Sequence, residues 1–329
     1  MDERIKRIFY NIISLFNLES EPNWKKVLYV IGVLWSVKKA LKFLKSFYEI
    51  FLSREKDLGK KYGRGSYVMI TGSTAGIGKE LAFQFAKRGF KIVLVSRTEK
   101  KLKQVQQEIL DAYPQSSPLI VQADFAKSME PGFIDKIWNE VKDLNISILV
   151  NNVGIDAVEY FNEMPEKEVS RMLAINVVGG TLLTKRFLPT LAKREKSAVI
   201  TLSSLAAHLP MRGYNLYSAS KAFSNMLSLT LSNEHKKIDF FSVKPSEVST
   251  PMTHHKSDIF TVSAKSCVNG IIKDFSRGKL STNGHWNHKL QEYIYRFILP
   301  RCLFNLIWNN FVLHDVRKER SLPPMNPII

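Results

Sequence analysis

Short apolar runs alternate with longer amphipathic stretches from residue 67 to residue 276. The runs YVMIT at Tyr67–Thr71 and KIVLVS at Lys91–Ser96 are apolar at nearly every position, as in strands that are buried on both faces. Amphipathic helical stretches at 79–88 and 99–113 follow them. Strands that alternate with helices in this way predict an α/β fold, a doubly wound parallel sheet in a single domain.

An apolar segment near the N-terminus lies outside this alternation. Residues 27–37 are uncharged, with two lysines directly before them and two directly after, and residues 40–52 form an amphipathic stretch. A spanning helix needs about 20 mostly apolar residues. The segment therefore favours an in-plane or re-entrant membrane anchor over a spanning helix. The alternative is a helix that packs on the protein's own core.

A second apolar and aromatic stretch, residues 293–313, is interrupted by Pro300 and Arg301. It is compatible with a membrane contact, a lid over a pocket for a lipid tail, or a dimer contact. The sequence does not distinguish these three.

The chain of 329 residues carries a formal net charge of +18. Its positive residues flank apolar segments and do not form a basic stripe with interleaved aromatic residues, so no nucleic-acid partner is predicted. The two cysteines, Cys267 and Cys302, give no disulfide framework and suit a reducing compartment.

A glycine-rich turn follows the strand Tyr67–Thr71 and precedes a helix. Glycines let the backbone approach phosphates, and a helix N-terminus offers N–H groups and a positive dipole. The pattern predicts a dinucleotide site, with a plain tight turn as the alternative. Its candidate residues are Gly72, Ser73, Thr74, Gly76, Ile77 and Gly78.

The next strand ends in Ser96 and is followed by Arg97. An acidic residue here would bind the ribose hydroxyls of NAD(H), whereas a guanidinium suits the 2′-phosphate of NADP(H). NADP(H) is therefore the predicted cofactor.

Tyr217 and Lys221 are four residues apart, so they share one face if the segment is helical. The ammonium would then favour the ionised phenol, which ordinarily titrates near pH ~10. The spacing also occurs by chance on solvated helix surfaces. Tyr214 lacks such a partner, and we expect it to be a pocket or packing residue.

These motifs resemble the short-chain dehydrogenase/reductase family along residues 65–255. The family's spacing selects Ser204 over Ser203 as its catalytic serine. Val153 stands where the family usually has alanine, which we interpret as a packing variant. Further matching positions are Asp124, Asn151, Val153, Gly154, Asn176, Pro245, Val248 and Thr250.

The resemblance implies hydride transfer between the nicotinamide of NADP(H) and a carbonyl or secondary alcohol. Tyr217 would act as general acid, and Ser204 would hydrogen-bond the substrate oxygen. Lys221 would bias the phenol and hold the nicotinamide ribose, and Asn176 would help to position a water in a proton relay. Asp124, Asn151 and Val153 would lie beside the cofactor.

Within the family, Asn-Asn-Val-Gly, the strand end at Arg97 and the apolar extension resemble one membrane-associated branch. This branch contains very-long-chain 3-oxoacyl-CoA reductases and 17-beta-hydroxysteroid dehydrogenases of types 3 and 12, with inactive hydroxysteroid-dehydrogenase-like proteins nearby. It implies an endoplasmic-reticulum membrane location with the catalytic domain facing the cytosol. The predicted organisation is a membrane-anchoring extension at 1–64, an NADP-binding catalytic domain at 65–285 and an apolar extension at 286–329.

The leading prediction is reduction of a long-chain 3-oxoacyl-CoA, with a 3-keto or 17-keto steroid as the alternative and a non-catalytic membrane scaffold as the rival from another class. His254, His255 and Lys256 are candidates for binding acyl-CoA phosphates, or form an ordinary exposed loop. His285 and His288 have a ligand-like gap, but no further ligands complete a metal site, so we predict exposed loop histidines. A homodimer through the helices that carry Asn176 and Tyr217 stays open.

Overall fold

The computed structural model describes residues 3–15, 22–313 and 317–318. The chain divides into two compact units, Met1–Arg54 and Glu55–Ile329.

The smaller unit consists of helices α1, Glu3–Leu15, and α2, Asn23–Phe47, the second of which continues into a π-helical turn, Tyr48–Leu52. Ile12 and Ile13 of α1 pack on Val30 of α2. The two stretches that the sequence separates at 27–37 and 40–52 thus lie on one continuous helix, whose apolar side chains are mostly exposed. None of the described helices is both long enough and apolar enough to cross a bilayer.

In the described part of the larger unit, seven parallel strands form one sheet in the order β3-β2-β1-β4-β5-β6-β9. Two further short strands, β7 and β8, pair with each other. The strands are β1 Tyr67–Thr71, β2 Lys91–Ser96, β3 Leu119–Gln122, β4 Ile146–Asn151, β5 Ser197–Leu202, β6 Ile238–Val243, β7 Val248–Ser249, β8 Val262–Ser263 and β9 Ser281–Thr282.

The strand order reverses between β1 and β4. Strands β2 and β3 follow β1 on one side of it, and β4, β5 and β6 follow on the other side. Val68 of β1 pairs with Ile92 of β2 on one side and with Ile148 of β4 on the other. Ligands of open α/β sheets bind outside the carboxyl ends of the strands at such a switch point. The topology therefore predicts a ligand site at the loops after β1 and β4.

Helices cover both faces of the sheet, because successive strand residues point to opposite sides. Val68 packs with α4, α5 and α10, whereas Met69 packs with α6 and α8. The helices of this unit are α3 Leu58–Tyr62, α4 Gly76–Lys87, α5 Glu99–Ala112, α6 Phe133–Val141, α7 Glu166–Leu173, α8 Gly179–Ala192, α9 Asn215–Glu234, α10 Ala264–Ser276, α11 Trp286–Tyr293 and α12 Arg301–Ile307. The predicted doubly wound α/β fold is confirmed.

Tyr62 fixes the start of the larger unit. Its ring stacks on Phe275 with 5.1 Å between centroids, and its hydroxyl donates to Asp239 Oδ2 at 2.7 Å. Burial, followed by the nearby Asp239 charge, raises the pKa of Tyr62. Leu58 and Tyr62, which the sequence places in the predicted N-terminal extension, are thus part of this unit's core.

Candidate active site

The loop after β1 depends on glycine at two turning points. Gly72 has φ +66° and donates its N–H to Val95 O at 2.8 Å, and Gly76 has φ +53°. A Cβ at Gly72 would lie 2.9 Å from Asn152 Nδ2, and one at Gly76 would lie 2.9 Å from Thr250 Cγ2. Both the backbone conformation and the close packing therefore require glycine here.

Helix α4 begins at Gly76, inside the glycine loop and three residues before the predicted start at 79. Its N-cap is Ala75, which makes no side-chain cap, and the first turn has no acidic residue. A helix N-terminus of this kind attracts anions through its N–H groups and its dipole. The loop therefore fits a pyrophosphate.

The other predicted loop residues hold this shape. The Ser73 side chain is buried, with Oγ 3.4 Å from Val95 O, and Thr74 Oγ1 lies 3.1 Å from Ser96 Oγ. Ile77 packs against the sheet core. Gly78 has no room for a side chain, because a Cβ would lie 2.4 Å from Gly72 O.

Two residues that the sequence analysis did not select join the loops after β1 and β4. Thr71 Oγ1 accepts from the N–H groups of Asn152 and Val153, at 3.0 and 3.1 Å, and donates to Val150 O at 3.2 Å. Asn152 Nδ2 donates to Thr71 O at 2.8 Å. The available signal was a hydrogen-bonding residue directly before Gly72 and a second asparagine in the pair at the β4 end.

Asn151, the first asparagine of that pair, faces helix α8. Its Nδ2 donates to Thr184 Oγ1 at 2.7 Å, and the residue is buried. Its side chain thus joins the end of β4 to a helix, while Val153, half-buried beside it, packs against the sheet core.

Arg97 and Asp124 follow the neighbouring strands β2 and β3. The Arg97 side chain is exposed, and its carbonyl accepts from Gln122 Nε2 at 3.0 Å. Asp124 is half-buried, and its Oδ1 accepts from Ala126 N at 3.1 Å, which caps the short helical turn after β3. Both residues lie at the carboxyl edge of the sheet.

Helix α9 carries Tyr217 and Lys221 on one face, with Lys221 Nζ 5.7 Å from the Tyr217 ring centroid. Lys221 is 6% exposed, and its ammonium donates to Leu202 O at 2.9 Å. Burial lowers the pKa of Lys221 to about 8, with Asp156 acting in the opposite direction. Desolvation disfavours the charged form of a lysine, so this ammonium loses its proton at a lower pH than an exposed lysine does.

Asn176 lies in a π-helical turn, Ala174–Val178, between α7 and α8. Its Nδ2 donates to Ile155 O at 2.8 Å and to Ser220 Oγ at 3.1 Å, and Ile155 N donates to its Oδ1 at 2.9 Å. A Cβ on Gly154 would lie 3.0 Å from Lys221 Nζ and 3.4 Å from Asn176 Oδ1. The asparagine and the lysine therefore approach the same bare backbone segment. π-helical turns are frequent at functional sites.

Ser204 and Ser203 follow β5 and face different partners. Ser204 is half-buried, and its Oγ accepts from Ala206 N at 3.1 Å at the start of a short helical turn, Leu205–His208. Ser203 is buried, and its Oγ donates to Lys221 O at 2.7 Å. Ser203 thus fixes the helix that carries the lysine, whereas Ser204 remains at the carboxyl edge.

The C-terminal segment forms a wall beside the tyrosine. Tyr214 is buried, with its ring 5.7 Å from Tyr217 and 5.6 Å from Trp308, and Leu313 packs into the same cluster. Arg317, only 4% exposed, donates to Val158 O at 2.7 Å. Residues far along the chain thus enclose one side of the site.

The prediction of exposed loop histidines is wrong for His288. It is fully buried, with its ring nitrogens 3.2 Å from Asn283 O and 3.0 Å from Glu247 O. Burial lowers its pKa to about 4, although the two carbonyls act in the opposite direction. His285, half-buried, caps helix α11. Within the described part of the chain, no group of three or more His, Cys, Asp or Glu side chains could hold a metal ion.

The proposed acyl-CoA contacts occupy a loop after β7. His254 and His255 are exposed, with φ of 49° and 55°. Lys256 Nζ lies 3.5 Å from Glu247 Oε2 and 3.4 Å from Asp258 Oδ2. The lysine charge is thus shared with two carboxylates.

The family model for short chain dehydrogenases matches residues 66–259, which contain both the glycine loop and the Tyr217–Lys221 pair. The chain belongs to the short-chain dehydrogenase family. It is therefore an oxidoreductase that works with a nicotinamide dinucleotide. The prediction of this family is confirmed. The glycine loop and the N–H groups at the start of α4 fit the pyrophosphate of the cofactor.

Similar curated proteins fall in the predicted branch. The chain is 30% identical over 307 residues to the very-long-chain 3-oxoacyl-CoA reductase of Coccidioides immitis, covering 90% of this chain and 88% of that protein. It is also 30% identical over 313 residues to the human inactive hydroxysteroid dehydrogenase-like protein 1, covering 90% and 92%. Relatives with both names thus match nearly the whole chain.

Solved structures confirm the fold. A 7beta-hydroxysteroid dehydrogenase superposes with a TM-score of 0.70 at 20% identity, covering 77% of this chain and all of that one. A short-chain dehydrogenase from Sphingobium yanoikuyae, solved with NADPH, gives a TM-score of 0.61 at 22% identity, covering 80% and 98%. At these identities the likeness concerns the fold alone.

Proposed function

We propose that this short-chain dehydrogenase reduces lipid-like ketones with NADPH, and that its substrate is a long-chain 3-oxoacyl-CoA, which it converts to the 3-hydroxyacyl-CoA. The observation that carries the proposal is the buried Lys221 beside Tyr217, with Asn176 approaching the same backbone segment. The similarity to very-long-chain 3-oxoacyl-CoA reductases supports the substrate class.

The choice of NADPH rests on the end of β2. Ser96 bonds Thr74, and the exposed Arg97 follows it. A guanidinium at this position offers a planar, permanently charged partner to a 2′-phosphate, whereas NADH would gain nothing from it.

The nicotinamide supplies the hydride when the cofactor is bound. In the reductive direction, Tyr217 donates a proton to the substrate oxygen as it becomes an alkoxide. Lys221 stabilises the resulting phenolate, and its lowered pKa lets it pass on a proton near neutral pH. Ser204 orients the substrate oxygen by a hydrogen bond, and Asn176 holds the chain beside the lysine.

The N-terminal unit suits a membrane-bound enzyme. Its helix α2 exposes Trp35, Leu41 and Phe43 next to several lysines, a composition that favours an in-plane anchor at an anionic surface. We propose that this anchor holds the enzyme on the cytosolic face of the endoplasmic reticulum. Pairing of two copies through the helical segments that carry Asn176 and Tyr217 is part of the same proposal.

Two rival functions keep specific support. Hydroxysteroid dehydrogenase-like relatives match at 30% and 31% identity, as closely as the 3-oxoacyl-CoA reductase does, which favours a steroid ketone as the second candidate substrate. Two of these relatives, from Homo sapiens and Pongo abelii, are named as inactive, which favours a scaffold without catalysis. The scaffold hypothesis predicts that Tyr217→Phe leaves the biological function intact.

The test is NADPH oxidation by the detergent-solubilised full chain with a long-chain 3-oxoacyl-CoA. We expect Tyr217→Phe to lower kcat by about 10²-fold or more, because general acid catalysis contributes about 10²–10⁴. Tyr67→Phe is the matched control, since it also removes a tyrosine hydroxyl, but at the amino end of β1, where the strands begin. No turnover by the wild type, with NADPH binding intact, would contradict the acyl-CoA assignment and direct the assay to steroid ketones.

The cofactor assignment is tested separately. Arg97→Ala is expected to raise KM for NADPH about tenfold, the equivalent of about 1.4 kcal/mol, and to leave KM for NADH unchanged. Lys100→Ala removes a positive charge from an exposed neighbour and is expected to change neither value. An equal rise of KM for NADPH in both variants would attribute the effect to the positive electrostatic field of the region and not to a specific contact of Arg97.

A further inference from the structure

The helix that begins at Trp286 has its apolar stripe on the outside. Four large side chains recur at intervals of four, three and four residues along α11 and its continuation, the π-helical turn Ile294–Ile298, so they share one face. Their exposed fractions run from 47% to 67%, whereas His288 and Gln291 are buried on the opposite face. The stripe consists of Trp286, Leu290, Tyr293 and Phe297.

A loop tip extends this stripe. Ile259 and Phe260 are 80% and 50% exposed. Hydrogen bonds hold their backbone against the same helix: Asn287 Nδ2 donates to Ile259 O at 2.7 Å, and Gln291 Nε2 donates to Phe260 O at 2.9 Å. The polar residues of α11 are thus used to position an apolar loop, not to face water.

Helix α12 continues the apolar surface. Phe304 points inward and is buried, while Leu303 and Leu306 are exposed. We call the loop tip Ile259–Phe260, the stripe on α11 with its π-helical turn, and the outer side of α12 the C-terminal apolar face. Contiguous exposed apolar patches, especially those with a polar rim, mark interaction sites.

The inner side of these helices packs beside the candidate active site. Phe304 packs with Leu205 and Leu209, and Leu205 directly follows Ser204. The centroid of the Phe304 ring lies 5.5 Å from that of Tyr295 and 6.3 Å from that of Trp308. The C-terminal apolar face is thus the outer surface of the elements whose inner surface borders the active site.

Positive charge accompanies this face. Lys289, Arg296 and Arg301 lie on its helices, and Lys256 lies shortly before its loop tip, against two acidic residues, Asp258 and Glu292. Asp258 lies 3.4 Å from Lys256 Nζ. The Glu292 carboxylate is largely buried and is held 3.4 Å from Lys244 Nζ and 2.8 Å from Arg296 Nη1. A surface with exposed aromatic rings and a basic rim matches an anionic bilayer, where Trp and Tyr favour the interface and basic residues attract acidic headgroups.

A second copy of the chain is a poorer match, because an isologous contact would bring identical basic rims together. We propose that the C-terminal apolar face rests on an anionic lipid surface and gives the catalytic unit a membrane contact of its own, separate from the N-terminal helices. An apolar substrate would then enter the site directly from the bilayer. The membrane contact itself does not depend on which ketone is reduced.

A native cysteine provides the probe. Cys302 is exposed on α12, one turn before Leu306, whereas Cys267 is fully buried and its pKa is raised by burial to about 12. A maleimide fluorophore will therefore label Cys302. The labelled full chain is reconstituted in phosphatidylcholine–phosphatidylserine vesicles whose acyl chains are either ordinary or brominated. We expect brominated chains to remove most of the fluorescence.

The matched control carries the fluorophore at Leu119→Cys in a Cys302→Ser background. Leu119 is exposed at the start of β3, on the opposite edge of the sheet, and we expect bromine to leave its fluorescence unchanged. Leu306→Asp is expected to weaken quenching at Cys302, and Leu119→Asp is expected to leave it as in wild type. Each labelled protein must bind NADPH, which shows that it is folded.

Unquenched Cys302 on protein that sediments with the vesicles would overturn the proposal, because another surface would then hold the membrane. Fluorescence that depends on protein density and not on bromine would also overturn it and would identify a second copy as the occupant. Neither readout uses turnover, so failure of the ketone assay and failure of this proposal are distinguishable.

Discussion

Lys221→Met is expected to stabilise the cofactor-free protein near neutral pH while it abolishes turnover. Lowering the pKa of a lysine from 10.5 to about 8 corresponds to about 3 kcal/mol, since each pKa unit is about 1.4 kcal/mol. Methionine removes this cost but leaves Leu202 O without its donor, which costs about 1 kcal/mol. The net gain is therefore about 2 kcal/mol at neutral pH.

The pH dependence gives the sharper result. The unfolded lysine binds more protons than the folded one between about pH 8 and 10.5, so wild-type stability rises with pH over that window relative to the variant. The advantage of Lys221→Met should shrink over the window and change sign above it.

Urea unfolding at a series of pH values measures this difference, since other titrating groups are common to both proteins. Lys100→Met, which changes an exposed lysine, should give a difference that does not vary with pH. A pH-independent difference for Lys221→Met as well would refute the reasoning, because the lysine would then not be desolvated in the folded state.

Two further substitutions test the loop and the core. Gly78→Ala places a Cβ 2.4 Å from Asn152 Nδ2, so we expect NADPH affinity, measured by fluorescence titration, to fall about tenfold or more; Gly89→Ala, with open space around it and φ +80°, should cost about 1 kcal/mol of stability and leave that affinity intact. Tyr62→Phe removes the hydroxyl that donates to Asp239, so urea unfolding should show a loss of about 1–2 kcal/mol, and an unchanged midpoint would show that this bond contributes nothing.

Contiguous patterns predicted the fold and the cofactor loop. Strands β1 and β2 have the predicted bounds, because an unbroken apolar run between turn residues leaves few alternatives. The Tyr217–Lys221 pair was visible for the same reason, since a helix brings residues four apart together whatever surrounds it. The roles assigned to these side chains stay predictions.

Contacts between distant parts of the chain escaped the sequence analysis. His288 is buried because Asn283 O and Glu247 O enclose its ring, and no local pattern distinguishes such a histidine from an exposed one. Arg317 likewise donates to Val158 O, although the two residues are 159 positions apart in the chain. The sequence also separated two apolar segments that lie on one continuous helix, α2 with its π-helical turn, because the lysines between them were interpreted as the flank of the first segment.

Burial of Lys221 connects stability with the proposed catalysis. The ammonium is held between Leu202 O and the segment at Gly154, where a side chain would lie only 3.0 Å from Nζ. Full exposure would restore the ordinary pKa and keep the lysine charged, so it would no longer exchange protons near neutral pH. The fold therefore tolerates about 3 kcal/mol of desolvation at this one residue. In a non-catalytic scaffold this loss of stability would bring no catalytic benefit. The buried lysine therefore favours a working enzyme over the scaffold.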